Sequence, residues 1–211
     1  MWMIKSLLTF FFSVVFPSYC YVCKKEKTSL CKKCTDTFSR GVDTPYPFII
    51  SLYSFKDKNV RKIIHAIKYF HRKDLIRDFT ENGIVNKNIE SIEAADNPIL
   101  IPVPTTLFRK LKRGYCHTEY IALTLGERLD YPISLTTLKR RHFTRAQVGT
   151  KRSDRINAQK GSFLIKDMRC IKNKTVILVD DVTTTGATLL EAKRVLLLSG
   201  AKNVLAITLA H

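Results

Sequence analysis

Glycine and proline are scarce, with 8 and 7 copies in 211 residues. That scarcity excludes collagen-like and low-complexity chains, and a 45% hydrophobic content excludes a wholly disordered one. No period of 20–50 residues recurs, which excludes solenoids and propellers. No apolar run reaches the roughly 20 residues that cross a bilayer. The run at 7–16 (LLTFFFSVVF) stops at Pro17. Pro17-Ser18-Tyr19 is not an A-x-A-like cleavage site, so residues 1–16 read as a buried or interface helix, with peripheral membrane contact as the lesser reading. Two nucleotide signatures are missing: no G-x4-G-K-[ST] of a P-loop and no G-x-G-x-x-G of a dinucleotide fold. Acids are also short, 18 Asp and Glu against 36 Lys and Arg, a net charge of +18. Such an excess favours phosphates, nucleic acid or anionic membrane as partners, or a solvated basic surface; it does not specify a fold.

Of the six cysteines, four fall as Cys20-x2-Cys23-x7-Cys31-x2-Cys34, while Cys116 and Cys170 stand alone. Each C-x2-C turn brings two sulfurs together, and two such turns close a tetrahedral shell with no open position. The expectation is therefore a structural Zn²⁺ in a reducing, cytoplasmic compartment, set among Lys24, Lys25, Lys27, Lys32 and Lys33; reduced or redox CxxC pairs are the other reading. The five histidines, His65, His71, His117, His142 and His211, show no metal-ligand spacing and read as surface or core residues.

Beyond the turn-rich stretch 40–45, apolar runs alternate with helical patterns. Strands are expected at Ile49–Phe55, Ile99–Val103, Ser134–Leu138, Thr175–Val179 and Val204–Leu209, and helices at Asn59–Phe70, Asp74–Val85, 115–129 and Thr188–Leu198. Several of these strands are apolar on both faces, the mark of a parallel α/β sheet with helices on its flanks. The domain division reads as 1–40 for the apolar helix and cysteine unit and 41–211 for the α/β domain, interrupted by a basic loop at 139–160 with 8 Lys/Arg and one Asp. A loop of that length inside a compact domain is usually functional.

The most informative stretch is Val176-Ile-Leu-Val-Asp180-Asp181-Val-Thr183-Thr184-Thr185-Gly186-Ala187-Thr188. A buried strand runs into two carboxylates, then a Thr/Gly loop, then a helix. Ligands of open parallel sheets bind beyond the carboxyl ends of the strands. A helix N-terminus offers unpaired N–H groups and a partial positive charge to a phosphate. The carboxylates would repel that phosphate, so they suit a diol or a metal. A diol site beside a monophosphate site has the outline of ribose 5-phosphate; an Asp pair capping a strand end is the plain structural alternative.

This stretch resembles the PRPP-binding signature of type I phosphoribosyltransferases. The resemblance implies that Asp180 and Asp181 hold the ribose hydroxyls and that Thr183, Thr184, Thr185, Gly186, Ala187 and Thr188 cradle the 5-phosphate, with Mg²⁺ accompanying PRPP. Nearly the whole chain is similar to the ComF (competence protein F, GntX-like) family. The carrying elements are Phe16-Pro17, the paired CxxC, Ile63–Tyr69 (IIHAIKY), Pro102-Val-Pro104, Lys112-Arg113-Gly114-Tyr115, Arg145-Ala-Gln147, Arg152 with Asn157, and the Asp180–Gly186 signature. The family's Phe-Asn-Gln after Arg-Gly is here Tyr115-Cys116-His117, which leaves the roles of those residues, and of Lys68, open.

On the pyrophosphate side the resemblance implies Thr105 and Thr106 after the Ile99–Val103 strand, then Lys112 and Arg113, and Arg145, Lys151 and Arg152 from the mobile loop of the family. It also implies a role in uptake and handling of transforming single-stranded DNA, met through phosphate contacts, with a DNA-uptake channel or helicase protein as a further partner. Two other readings stand beside it: a metabolic PRPP-dependent transferase of a base or amine, and a non-catalytic zinc-knuckle interaction protein with a vestigial PRPP site. Aromatics do not read as interleaved with the basic stretches.

Overall fold

A computed structural model describes residues 18–41, 44–86, 89–106, 114–141 and 159–211. Its elements run α1 Lys32–Thr35, β1 Ile49–Tyr53, α2 Lys58–Tyr69, α3 Asp74–Asn86, α4 Glu90–Glu93, β2 Pro98–Pro102, α5 His117–Leu129, β3 Leu138–Arg140, β4 Phe163–Ile165, β5 Thr175–Val182, α6 Ala187–Leu198 and β6 Asn203–Ala210. The main sheet has the order β1-β6-β5-β2 and every pair in it is parallel. This is the expected α/β class. All four strands therefore end at one edge, with Tyr53 opposite Ala210, Ala210 opposite Val182, and Pro102 opposite Val179.

β5 explains the layering. Its first five residues are all buried. Alternation sends Val176 and Leu178 to one apolar cluster, with Leu138, Phe163, Leu189 and Leu196. It sends Ile177 and Val179 to the other, with residues of α2, α3 and α5 such as Ile63, Phe79 and Ile121. α2 forms because Val60, Ile63, Ile64 and Ile67 share one buried stripe. It starts at Asp57, whose carboxylate accepts from the N–H groups of Asn59 (2.8 Å) and Val60 (3.3 Å).

Three boundaries differ from the sequence reading. β5 extends through both aspartates to Val182, because β6 keeps pairing with it as far as Val182 opposite Ala210. Ser134–Leu138 is not a strand: Ile133 makes one parallel bridge to Leu100, and the chain then pairs Leu138–Arg140 with Phe163–Ile165 in a small antiparallel sheet. The turn-rich stretch after the cysteines lies along β1, with Arg40 bridged to Tyr53 and the Gly41 N–H donating to the Leu52 carbonyl at 3.2 Å. A Cβ on Gly41 would sit 1.9 Å from the Ser51 carbonyl oxygen, so only glycine fits that approach. Residues 1–17, and with them the apolar segment and its membrane reading, lie outside the described residues. No helix among the described residues is long and apolar enough to cross a membrane.

Candidate functional site

Alternation along β5, continued one step, puts Asp180 and Asp181 on opposite faces of the sheet. The two carboxylates consequently have different surroundings. Asp181 is 9% exposed and faces α2 and α5. Its Oδ2 lies 2.7 Å from Lys68 Nζ and 2.6 Å from His117 Nε2, and its Oδ1 accepts from the Val182 N–H at 2.6 Å. Burial pushes against ionisation of Asp181. The His117 bond and the Lys68 charge outweigh it and hold the carboxyl well below the usual carboxylate range. His117 is the first residue of α5, so the helix N-terminus adds to the field that keeps Asp181 anionic.

Asp180 is half-buried. Its Oδ1 accepts from the Asp181 N–H at 2.9 Å, and no cation among the described residues lies within ion-pair distance of it. Desolvation first, and then the neighbouring Asp181 charge, push its carboxyl up to about 7; Lys68 and Arg140 act weakly in the other direction.

After β5 the chain turns into α6 through the threonines. Thr183 continues the sheet, its N–H donating to the Ala210 carbonyl at 3.0 Å, while His211 Nδ1 lies 3.2 Å from the Thr183 carbonyl. Gly186 stands at the head of α6 with φ +75, a conformation that favours glycine. A Cβ there would also strike the Tyr46 ring at 2.7 Å. No side chain of the Gly186 position caps the helix, and Thr185 Oγ1 reaches only the Ala187 N–H, at 3.4 Å. The N–H groups of the first turn are thus presented toward the strand edge.

A cavity of about 200 Å³ lies at this edge, lined by Lys68, Val103, Pro104, Thr105, His117, Arg140, Asp180, Asp181, Val182 and Thr188. It brings together residues from the segment after β2 and from α2, α5, β3, β5 and α6. Of the residues named from sequence, Asp180, Asp181, Thr188 and Thr105 line it. Thr184, Thr185, Gly186 and Ala187 form the adjoining turn, and Thr106 follows Thr105 without lining the cavity. Lys112, Arg113, Arg145, Lys151 and Arg152 lie outside the described residues.

Three lining residues escaped the sequence reading. His117, expected to be an ordinary surface or core histidine, is buried but bonded to a site carboxylate. Lys68 could have been found: it is the cation that follows Ile63, Ile64 and Ile67 at the margin of the apolar stripe, where a charge has a reason to be held. Arg140 was submerged in the basic loop's charge count. It belongs instead to β3, with its guanidinium 5.3 Å above the Phe163 ring and donating to Gln159 Oε1 at 2.8 Å.

The four cysteines converge as their spacing requires, with all four sulfurs within 4.8 Å of one another. Cys23 and Cys31 are 3.6 Å apart, far beyond the roughly 2.05 Å of a disulfide and near the ~3.8 Å between thiolates on one tetrahedral metal. Burial opposes ionisation of Cys20. Backbone N–H groups of Cys31, Cys23 and Val22 directed at its sulfur overcome that and bring it down to about 6. The cluster can hold a metal ion. It rests on α3, where Asp78 Oδ2 accepts from Ser29 Oγ (2.7 Å), the Leu30 N–H (2.9 Å) and Thr28 Oγ1 (3.1 Å).

The family model for the phosphoribosyl transferase domain matches residues 120–211, which hold the β5–α6 turn. Competence protein F of Haemophilus influenzae is 35% identical over 106 residues, 50% of this chain and 46% of that protein. These two matches and the four-cysteine cluster fit a chain of the ComF type. The match thus spans about half the length of that ComF relative. The crystal structure of TT1426 from Thermus thermophilus overlaps 66% of this chain and 82% of its own, at 14% identity and a TM-score of 0.36. This chain combines the two features built above: a strand-end site on a parallel sheet and a four-cysteine unit packed on α3.

Proposed function

We propose that this chain binds PRPP with Mg²⁺ at the β5–α6 edge and serves in the handling of incoming single-stranded DNA, with Zn²⁺ held by Cys20, Cys23, Cys31 and Cys34 as a structural metal. The observation that supports this most is the β5–α6 turn: a carboxyl at a strand end, then a glycine in the left-handed region that opens an uncapped helix. Asp180 would accept from the ribose hydroxyls, because Asp181 is already occupied by Lys68 and His117. The N–H groups at the head of α6, with the hydroxyls of Thr184, Thr185 and Thr188, would receive the 5-phosphate. Lys68, Arg140 and Thr105 line the remaining wall, where the pyrophosphate would lie and where positioned cations would meet its growing charge on departure. Among the described residues, the only convergent group of three or more His, Cys, Asp or Glu ligands is the cysteine set. The Mg²⁺ would therefore arrive with the diphosphate as part of the ligand. The name of the Haemophilus relative supports the DNA role.

Calorimetry with PRPP and Mg²⁺ tests the site, followed by pyrophosphate release over candidate bases and amines. PRPP binding without release in any pair would assign the site to sensing. Absence of binding would remove the reading. A metabolic transferase is favoured if a free base drives release and single-stranded DNA does not bind.

A further inference from the structure

The α2 surface is strongly basic. Residues 58–73 (KNVRKIIHAIKYFHRK) contain six Lys or Arg and no Asp or Glu. The buried stripe takes Val60, Ile63, Ile64 and Ile67 inward, leaving Arg61, Lys62, His65 and Tyr69 outward. At the end of the helix Tyr69 is 55% and Phe70 63% exposed, and Phe70 is the most exposed aromatic among the described residues. The His65 ring lies 4.6 Å from Tyr69 and 5.3 Å from Phe70, so the three rings form one cluster. Lys73, just beyond, sits over Tyr115 (4.7 Å) and over Tyr120 (5.1 Å), the latter 39% exposed. Arg72 lies 5.4 Å from the Tyr21 ring of the cysteine unit. Aromatics and cations from distant parts of the chain are therefore interleaved in space.

We infer that this surface is a docking site for single-stranded nucleic acid. Lys68 and Arg72 are paired to Asp181 and Asp74, both at 2.7 Å, while Lys58, Arg61, Lys62 and Lys73 remain along the surface. Such a row of cations follows a phosphate backbone, and exposed rings among those cations stack bases; together these recognise a single strand without sequence preference. A duplex hides its base faces and would leave the rings unused. A lipid surface is the weaker match, since the apolar stripe of α2 is buried in the core and leaves no apolar helix face to insert. The exposed large side chains at this helix end are Tyr69 and Phe70, whereas Met168, Leu197 and Leu198 are exposed elsewhere in the chain. Lys68 belongs to the same helix turn as Tyr69 and lines the strand-edge cavity, so a strand lying on α2 would pass the mouth of that site. The inference rests on the DNA part of the proposed function and locates its contact.

The test is fluorescence anisotropy of the full chain with labelled oligo(dT), oligo(rU) and an abasic strand of equal length. The variants are Tyr69→Ala/Phe70→Ala, Tyr69→Phe/Phe70→Tyr and Lys62→Ala, with melting temperature and PRPP affinity as controls. The alanine pair should weaken oligo(dT) binding about five- to a hundredfold, while the abasic strand is little affected; the aromatic swap should restore wild-type affinity. Lys62→Ala should lower both strands alike and reduce the salt slope by up to about one. Melting temperature and PRPP affinity should stay unchanged, because these side chains are exposed and outside the cavity. Equal loss of both strands in the alanine pair, or no loss, overturns the inference while leaving the PRPP site intact. Loss of anionic-vesicle binding in the alanine pair with none for oligo(dT) reassigns the surface to membrane. If the wild type binds no single strand at low salt, the DNA reading itself falls. Comparable affinity for oligo(dT) and oligo(rU) supports stacking on either strand.

Discussion

The two faces of the sheet at the C-terminal end of β5 hold one aspartate each, one residue apart, and treat them in opposite ways. On the α2–α5 face, Asp181 is saturated by a lysine, a histidine and a backbone N–H. On the β3–α6 face, Asp180 holds a single backbone bond and is pushed toward its neutral form. Adjacent carboxylates are thereby separated into one that fastens two helices to the sheet and one that is left to a ligand. The general lesson is that an acidic pair at a strand end can line one cavity and still divide its roles, since each step along a strand changes face.

The largest loss of stability should come from breaking the saturated side. Asp181→Asn leaves Lys68 without its partner, and a buried pair broken on one side costs about 3 kcal/mol. Chemical denaturation at neutral pH should show that loss. A variant as stable as wild type would mean that Lys68 and His117 do not hold Asp181.

Asp180→Asn should do the reverse to stability while harming the ligand. Because its folded pKa is raised, Asp180 carries a stabilising proton at low pH that is lost as pH rises toward about 7. The amide should therefore stabilise the chain by up to about 4 kcal/mol at pH 8 and by nearly nothing at pH 4. PRPP affinity should fall by about ten- to a hundredfold, as a charge-assisted acceptor is replaced by a neutral one. Equal pH–stability curves for variant and wild type would contradict the contrast between the faces.

Gly186→Ala tests the open face from its other end. Holding alanine at positive φ costs roughly 1–2 kcal/mol, and the added methyl must displace Tyr46. Ribose 5-phosphate and PRPP should weaken together, while free pyrophosphate is spared; titrating all three ligands checks this. His117→Gln should act more mildly, costing about 1 kcal/mol, since an amide can still donate to Asp181. The smallest effect on the ligand should follow metal removal. The purified chain should carry one zinc, and chelation should lower the melting temperature yet change PRPP affinity less than about twofold, because the cysteines dock on α3 and not on β5.

Much of this was legible in the residues. Apolar runs placed β1, β2, β5 and β6, and fixed spacing placed the four sulfurs, because both signals are local. The Asp-Asp-x-Thr-Thr-Thr-Gly order placed the turn. The division of labour between the aspartates was not legible: it depends on Lys68 and His117, 113 and 64 positions upstream of Asp181, which only packing brings within reach. β3 and β4 were missed because three-residue strands carry no period. Part of the α2 surface was legible, since Tyr69 and Phe70 stand between Lys68 and Arg72 in the sequence; the rest was not, because Tyr21 and Tyr120 reach Arg72 and Lys73 from distant parts of the chain.

Asp78 has a consequence for how the cysteine unit can be inherited or engineered. One carboxylate oxygen gathers three donors from Thr28, Ser29 and Leu30, in the spacer between the two CxxC pairs. The spacer is therefore shaped by α3 before any metal arrives, and part of the metal's affinity resides in a helix outside the motif. Transplanted alone, the motif would lose that preorganisation and bind its metal more weakly. A graft that kept the register of α3 beneath it would retain the tighter site.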